Sequence, residues 1–251
     1  MDGRRKRFID NSVLVVPSLF TTANLFCGFY SIIASLRGDF VFASYLILAA
    51  ALFDMVDGRV ARWTNGSSDF GREYDSLCDL VSFGVAPGML AYLHYLSVIP
   101  RVGWLIVFLY VACGALRLAK FNVSHVNSDP KYFNGLPIPV AAVSIASGFL
   151  FFNKMGEIPY SGYCFMAIIL FVAILMVSSI KYKSYKKPEK TVRQGFYTNT
   201  VLFLLVLVVA AINPDVVIFA LCILYLIQGL FFHFYNFLKR SLKKKREGKK
   251  A

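Results

Sequence analysis

Apolar runs long enough to cross a bilayer recur along the whole chain, near residues 14–36, 40–62, 72–98, 102–123, 136–153, 160–181, 198–213 and 215–237. A helix needs about 20 residues to cross the hydrocarbon core, and a backbone in lipid must satisfy its own hydrogen bonds. These runs predict an all-α integral membrane protein. Six clear spans form a core over 14–181, and two shorter or closely joined runs form a C-terminal helical hairpin over 198–237. A basic segment over 1–13 precedes the core and a basic tail over 238–251 follows, so residues 1–251 read as a single membrane domain. Composition agrees: 16% of the residues are charged and 57% hydrophobic, whereas a soluble domain carries about 25% charge.

The net charge is +13, and its placement matters more than its size. Arg4, Arg5, Lys6 and Arg7 precede the first span, a lysine-rich loop around Lys181–Lys190 follows the sixth, and Lys239–Lys250 close the chain. An eight-span topology puts all three clusters, with Arg59, Arg62 and Arg72, on one side of the membrane. The positive-inside rule makes that side the cytoplasm, with both termini in it and the protein multi-pass in the cell membrane. Basic charge flanking apolar spans is drawn to anionic headgroups, so no nucleic-acid partner is expected. The first apolar run is longer than a signal h-region and lacks a small-residue cleavage site, so it is expected to stay in the mature chain. Cys27, Cys78, Cys113, Cys164 and Cys222 have no metal-ligand spacing, and His94, His125 and His233 form no cluster with them.

Against this apolar background the stretch 53–88, FDMVDGRVARWTNGSSDFGREYDSLCDLVSFGVAPG, stands out. Carboxylates inside a membrane helix are costly and mark functional sites. Asp54 and Asp57 stand at i and i+3, with Gly58, Ala61 and Arg62 on the same side of the helix, while Asp75 and Asp79 stand at i and i+4 with Gly71 one turn before. Between them Asn65–Asp69 carries a strong turn signal, with Ser67, Ser68 or Asp69 available to cap the next helix. The two helices are expected to form a hairpin whose acidic faces meet near its cytoplasmic end. Each carboxylate pair about 5 Å apart repels by roughly 3 kcal/mol at an effective dielectric near 20. Bound divalent cations relieve that repulsion, and hard oxygen donors select Mg²⁺, Mn²⁺ or Ca²⁺ over zinc. Two such ions on Asp54, Asp57, Asp75 and Asp79 make a clamp for a diphosphate. Gly58 and Gly71 leave room for a nucleotide to approach the backbone. The plainer alternative, a solvated acidic hairpin, suits one Asp-x-x-Asp better than it suits four aspartates together.

These residues fit D-x2-D-G-x2-A-R-x8-G-x3-D-x3-D at every specified position. The pattern resembles the signature of the CDP-alcohol phosphotransferase family. The resemblance implies a six-helix core around the site, usually in a homodimer, and transfer of a substituted phosphate from a CDP-linked donor to an alcohol with release of CMP. It implies metal ligation by Asp54, Asp57 and Asp75. Asp79 would touch metal as well and serve as the base that takes the acceptor's hydroxyl proton. Gly58, Ala61, Arg62 and Gly71 would belong to the CDP-diacylglycerol site.

PSLFTTANLFCGF over 17–29, Ser82–Pro87, Gly114–Asn122 and Phe133–Pro139 are similar to segments of the membrane-bound phosphatidylserine synthases in that family; Ser18 stands where asparagine is expected. The resemblance implies L-serine as acceptor and CDP-diacylglycerol as donor, giving phosphatidylserine and CMP. Arg117, Lys120 and Asn122 are the expected serine-binding residues: Arg117 offers a planar fork for a carboxylate, which glycerol-type acceptors lack. For Arg117 and Lys120 the alternative is snorkelling to the interface. Thr21 and Asn24 either hydrogen-bond the donor or hold helices together. Three other functions stay open at this point: a sister enzyme using glycerol phosphate, inositol phosphate or choline, a membrane prenyltransferase, and a transporter with an intramembrane acid cluster.

Overall fold

The computed structural model describes residues 2–63, 69–99, 101–124, 132–156, 161–178, 180–183 and 213–247. Residues 198–212 of the expected span over 198–213, and the capping residues Ser67 and Ser68, lie outside the described residues. Within them the chain forms helices α1 (Asp2–Leu36), α2 (Phe40–Trp63), α3 (Asp69–Leu96), α4 (Gly103–Ser124), α5 (Ile138–Met155), α6 (Ser161–Val177) and α7 (Pro214–Glu247). Five of these carry apolar stretches long enough to span a bilayer, and the apolar parts of α6 and α7 are shorter. The protein is therefore a multi-pass membrane protein. The N-terminal basic segment is itself helical, as the first turns of α1. A three-residue antiparallel pairing, Tyr132–Asn134 (β1) with Lys181–Lys183 (β2), supplements the helices.

Large apolar side chains such as Leu19, Phe26, Phe108 and Ile174 point outward, as they do when the surrounding solvent is lipid. With no hydrophobic drive between helices in lipid, close approach depends on small residues. A Cβ added at Gly28 of α1 would lie 2.2 Å from Ser82 Oγ and 2.5 Å from Ser82 Cα, so α1 and α3 nearly touch there. Gly88 likewise receives Val107 of α4, and Gly114 receives Ile138 of α5. Ser31 of α1 donates to the Ala43 carbonyl of α2 at 2.9 Å. The link into α5 is fixed by Gly135, whose φ of 82° only glycine adopts readily. Its N–H donates to Ile180, and that of Leu136 to Leu175, tying the link to the end of α6.

Helix α3 is not a uniform α-helix. It widens to π hydrogen bonding over Leu80–Val85 and again over Tyr92–Leu96. Such wide turns free carbonyls and recur at functional sites. Here the buried Tyr110 hydroxyl of α4 donates to the Phe83 carbonyl at 2.7 Å, satisfying a group that lipid could not.

Candidate active site

The first wide turn of α3 begins immediately after Asp79. N-terminal to it, α3 offers Asp75 and Asp79 to α2, which carries Asp54 and Asp57 one turn apart. The side chains of Asp54, Asp57 and Asp75 converge, each offering a carboxylate oxygen within 4.8 Å of the others. Asp79 lies one turn further along α3, in electrostatic contact with all three. The hairpin expected from the spacing is thus present, with three aspartates in one tight set and the fourth beside it.

The first helix closes the site. Thr21 hydrogen-bonds the Asp57 side chain, as does the Gly58 N–H. Asn24, fully buried, donates its side-chain amide to Asp79 Oδ1 at 3.1 Å, while its own carbonyl accepts from Ser82 Oγ at 3.0 Å. Thr21 and Asn24 therefore both face the aspartates. The close crossing of Gly28 on Ser82 sits one turn from Asn24 and fixes its height against α3.

Several polar atoms remain without a protein partner in this buried place: Asp57 Oδ2, Asp75 Oδ1, Asn24 Oδ1 and Arg117 Nε. A buried acceptor left unmade costs about 1–3 kcal/mol, more when charged. Two orphan carboxylate oxygens inside a cluster of like charges fit a hard divalent cation, which would engage both and cancel the repulsion.

Positive charge comes from α4. The half-buried Arg117 guanidinium lies within electrostatic reach of Asp54 and Asp79. It is thus part of the cluster and does not snorkel away from it. Lys120, one turn on, is exposed. Asn122 donates to Glu73 Oε2 and Ser76 Oγ, each at 3.1 Å, and so braces α4 against the outer face of α3. Gly58 and Gly71 are half-buried on the two hairpin helices, while the side chains of Ala61 and Arg62 lie outside the described residues.

Two features of the site have no individual signal in the sequence. Ser82 lies in a segment similar to the family's, with nothing in one dimension to show its contact with α1. Tyr225 of α7, within electrostatic reach of Arg117, is one of many aromatics in an apolar helix. Only the three-dimensional packing distinguishes it.

The sequence profile of the CDP-alcohol phosphatidyltransferase family matches residues 14–178. A CDP-diacylglycerol–serine O-phosphatidyltransferase of Helicobacter pylori is 38% identical over 224 residues, 88% of this chain and 91% of the relative. An archaetidylserine synthase of Methanothermobacter thermautotrophicus is 41% identical over 181 residues, covering 68% of this chain and 70% of its own. A CDP-diacylglycerol–serine O-phosphatidyltransferase of Bacillus subtilis is 38% identical over 172 residues, 68% of this chain and 92% of its own.

Proposed function

This chain belongs to the CDP-alcohol phosphatidyltransferase family, and from that premise we propose how its aspartate hairpin and Arg117 carry the reaction of CDP-diacylglycerol with L-serine. The chain is an enzyme of phospholipid biosynthesis that transfers the phosphatidyl group from CDP-diacylglycerol to the serine hydroxyl, giving phosphatidylserine and CMP. Serine recurs in the names of relatives whose lipids differ, which favours it over glycerol phosphate, inositol phosphate or choline. The observation that carries the mechanism is the pair of orphan carboxylate oxygens, on Asp57 and Asp75, beside an arginine fork.

Asp54, Asp57 and Asp75, with Asp79 beside them, would hold divalent metal; two ions, Mg²⁺, Mn²⁺ or Ca²⁺, would suit the donor set. When bound, the metal supplies positive charge against the diphosphate of the donor. Thr21 holds the Asp57 carboxylate in place. Gly58 and Gly71 leave the backbone open to the nucleotide, with Ala61 and Arg62 on the same side of α2.

Arg117 receives the serine carboxylate as a planar two-donor fork, and Lys120 adds charge at the acceptor entrance. Asn122 keeps α4 and α3 in register. Asp79, one oxygen tied by Asn24, takes the proton from the serine hydroxyl as its oxygen attacks the phosphorus bearing the diacylglycerol. The bond from that phosphorus to the CMP oxygen breaks in the same displacement, and CMP leaves. The lipid tails stay in the bilayer throughout, both termini lie on the cytoplasmic side, and the enzyme works as a homodimer.

The deciding assay uses purified full-length protein in detergent with CDP-diacylglycerol and each labelled alcohol in turn. Labelled phosphatidylserine with stoichiometric CMP is expected; no product with serine overturns the acceptor assignment. Metal-dependent CMP release would also exclude a transporter.

A further inference from the structure

Three buried oxygens around the aspartates lack a protein partner, one on each of three helices: Asn24 Oδ1 on α1, Asp57 Oδ2 on α2 and Asp75 Oδ1 on α3. Asp57 and Asp75 belong to the tight aspartate set; Asn24 comes to the same place from the opposite helix. Its side-chain nitrogen donates to Asp79 Oδ1 at 3.1 Å, and its main-chain carbonyl accepts from Ser82 Oγ at 3.0 Å. Thr21, one turn earlier on α1, bonds the Asp57 side chain. A carboxylate only accepts, so the amide must turn its nitrogen to Asp79. Its oxygen, on the same carbon, is then held beside the cluster with nothing to bond.

We propose that Asn24 Oδ1 is a further ligand of the divalent metal. All three oxygens are closed to water, and Asn24 as a whole is 0% exposed. A hydrogen-bonded water or ammonium sits about 2.7–3.0 Å away and needs room for its own bulk, whereas Mg²⁺ bonds oxygen at about 2.0–2.1 Å. The partner that fits is a bare ion. Amide oxygens are ordinary ligands of hard cations, and here neutrality is an advantage. Four aspartates already match the charge of two divalent ions, so an amide adds a ligand without a fifth negative charge. The close crossing of Gly28 on Ser82 sets the height of Asn24 before any ion arrives. This rests on the reading that the aspartates hold metal.

The test is Mn²⁺ binding to the full-length protein in detergent without substrate, followed by electron paramagnetic resonance of the free ion. The wild type is measured first; if it binds no Mn²⁺, the metal reading of the aspartates fails along with its refinement here. Otherwise Asn24→Ala should weaken Mn²⁺ binding about tenfold or more. An amide that only propped Asp79 from behind would cost as much, so Asn24→Cys carries the decision. A thiolate takes a soft ion where an amide oxygen takes a hard one. Asn24→Cys should therefore lose Mn²⁺ affinity, gain Cd²⁺ affinity, and show a cadmium–thiolate ultraviolet band above that of the wild type, which carries the same Cys27 and Cys78. Wild-type Mn²⁺ affinity in Asn24→Ala, or no added band in Asn24→Cys, would overturn the proposal.

Discussion

Asn24 and Asp79 are joined by a buried hydrogen bond, 3.1 Å from amide nitrogen to Oδ1, across 55 residues of sequence. The amide can only donate to a carboxylate, so this contact fixes which way the Asp79 side chain turns. It leaves Asn24 Oδ1 buried without a partner. Asn24→Ala should lower kcat about tenfold or more through loss of that orientation. Asn24→Asp should be worse, since it sets a second carboxylate against the first. Steady-state CMP release by both variants checks this; equal rates for Asn24→Ala and wild type would refute a positioning role.

Removing ligands from the aspartate set should remove metal dependence along with rate. Asp57→Asn and Asp75→Asn are each expected to cost about 100-fold or more in CMP release, the scale of losing one preorganised electrostatic group at a reacting centre. Half-maximal activation should also need more Mg²⁺. Chelation should abolish activity, and Mg²⁺ or Mn²⁺ should restore it. Persistence of the wild-type rate in either variant would exclude the cluster as the metal site.

Arg117→Lys keeps the charge but loses the planar fork. Its serine KM should rise about tenfold or more while the CDP-diacylglycerol KM changes little. A variant that kept the wild-type serine KM would show that charge alone suffices at this position.

Gly28→Ala forces a methyl group into the backbone of Ser82, where the distances are 2.2 Å to Oγ and 2.5 Å to Cα. The helices must part, at about 1–3 kcal/mol. Thermal unfolding in detergent should report the loss, and activity should fall with it, because Asn24 rides on the same stretch of α1.

Tyr110→Phe deletes the hydroxyl that satisfies the Phe83 carbonyl in the first wide turn of α3. An unmet buried carbonyl costs about 1–3 kcal/mol, so the same melting measurement should show a drop without a change in serine KM. No drop would mean that the wide turn needs no external donor.

The aspartate hairpin was legible in the sequence because charge is rare in apolar helices and helical spacing places it on a face. Long apolar runs fixed most of the helices for the same reason. Other features had no one-dimensional signal. Asn24 read as either donor-binding or packing, since its partner is a whole hairpin away in the chain. Asn122 sat in a segment resembling an acceptor site, but its amide is engaged by Glu73 and Ser76. The wide turns of α3 leave no compositional mark, and Tyr225 is one of 14 tyrosines until the fold brings it within electrostatic reach of Arg117.

The unusual length of α3 sets how deep the chemistry is submerged. Its 28 residues would extend about 42 Å as a regular helix, while the hydrocarbon layer is only about 30 Å thick. If the Leu96 end marks the far boundary, the excess emerges on the near side as the stretch from Asp69 to about Asp75. Asp75 then floats at the waterline and Asp79 hangs one turn beneath it. A diphosphate tethered to two acyl chains rides at that same draught, so the donor can slide in sideways from the leaflet while serine and CMP come and go through water above it.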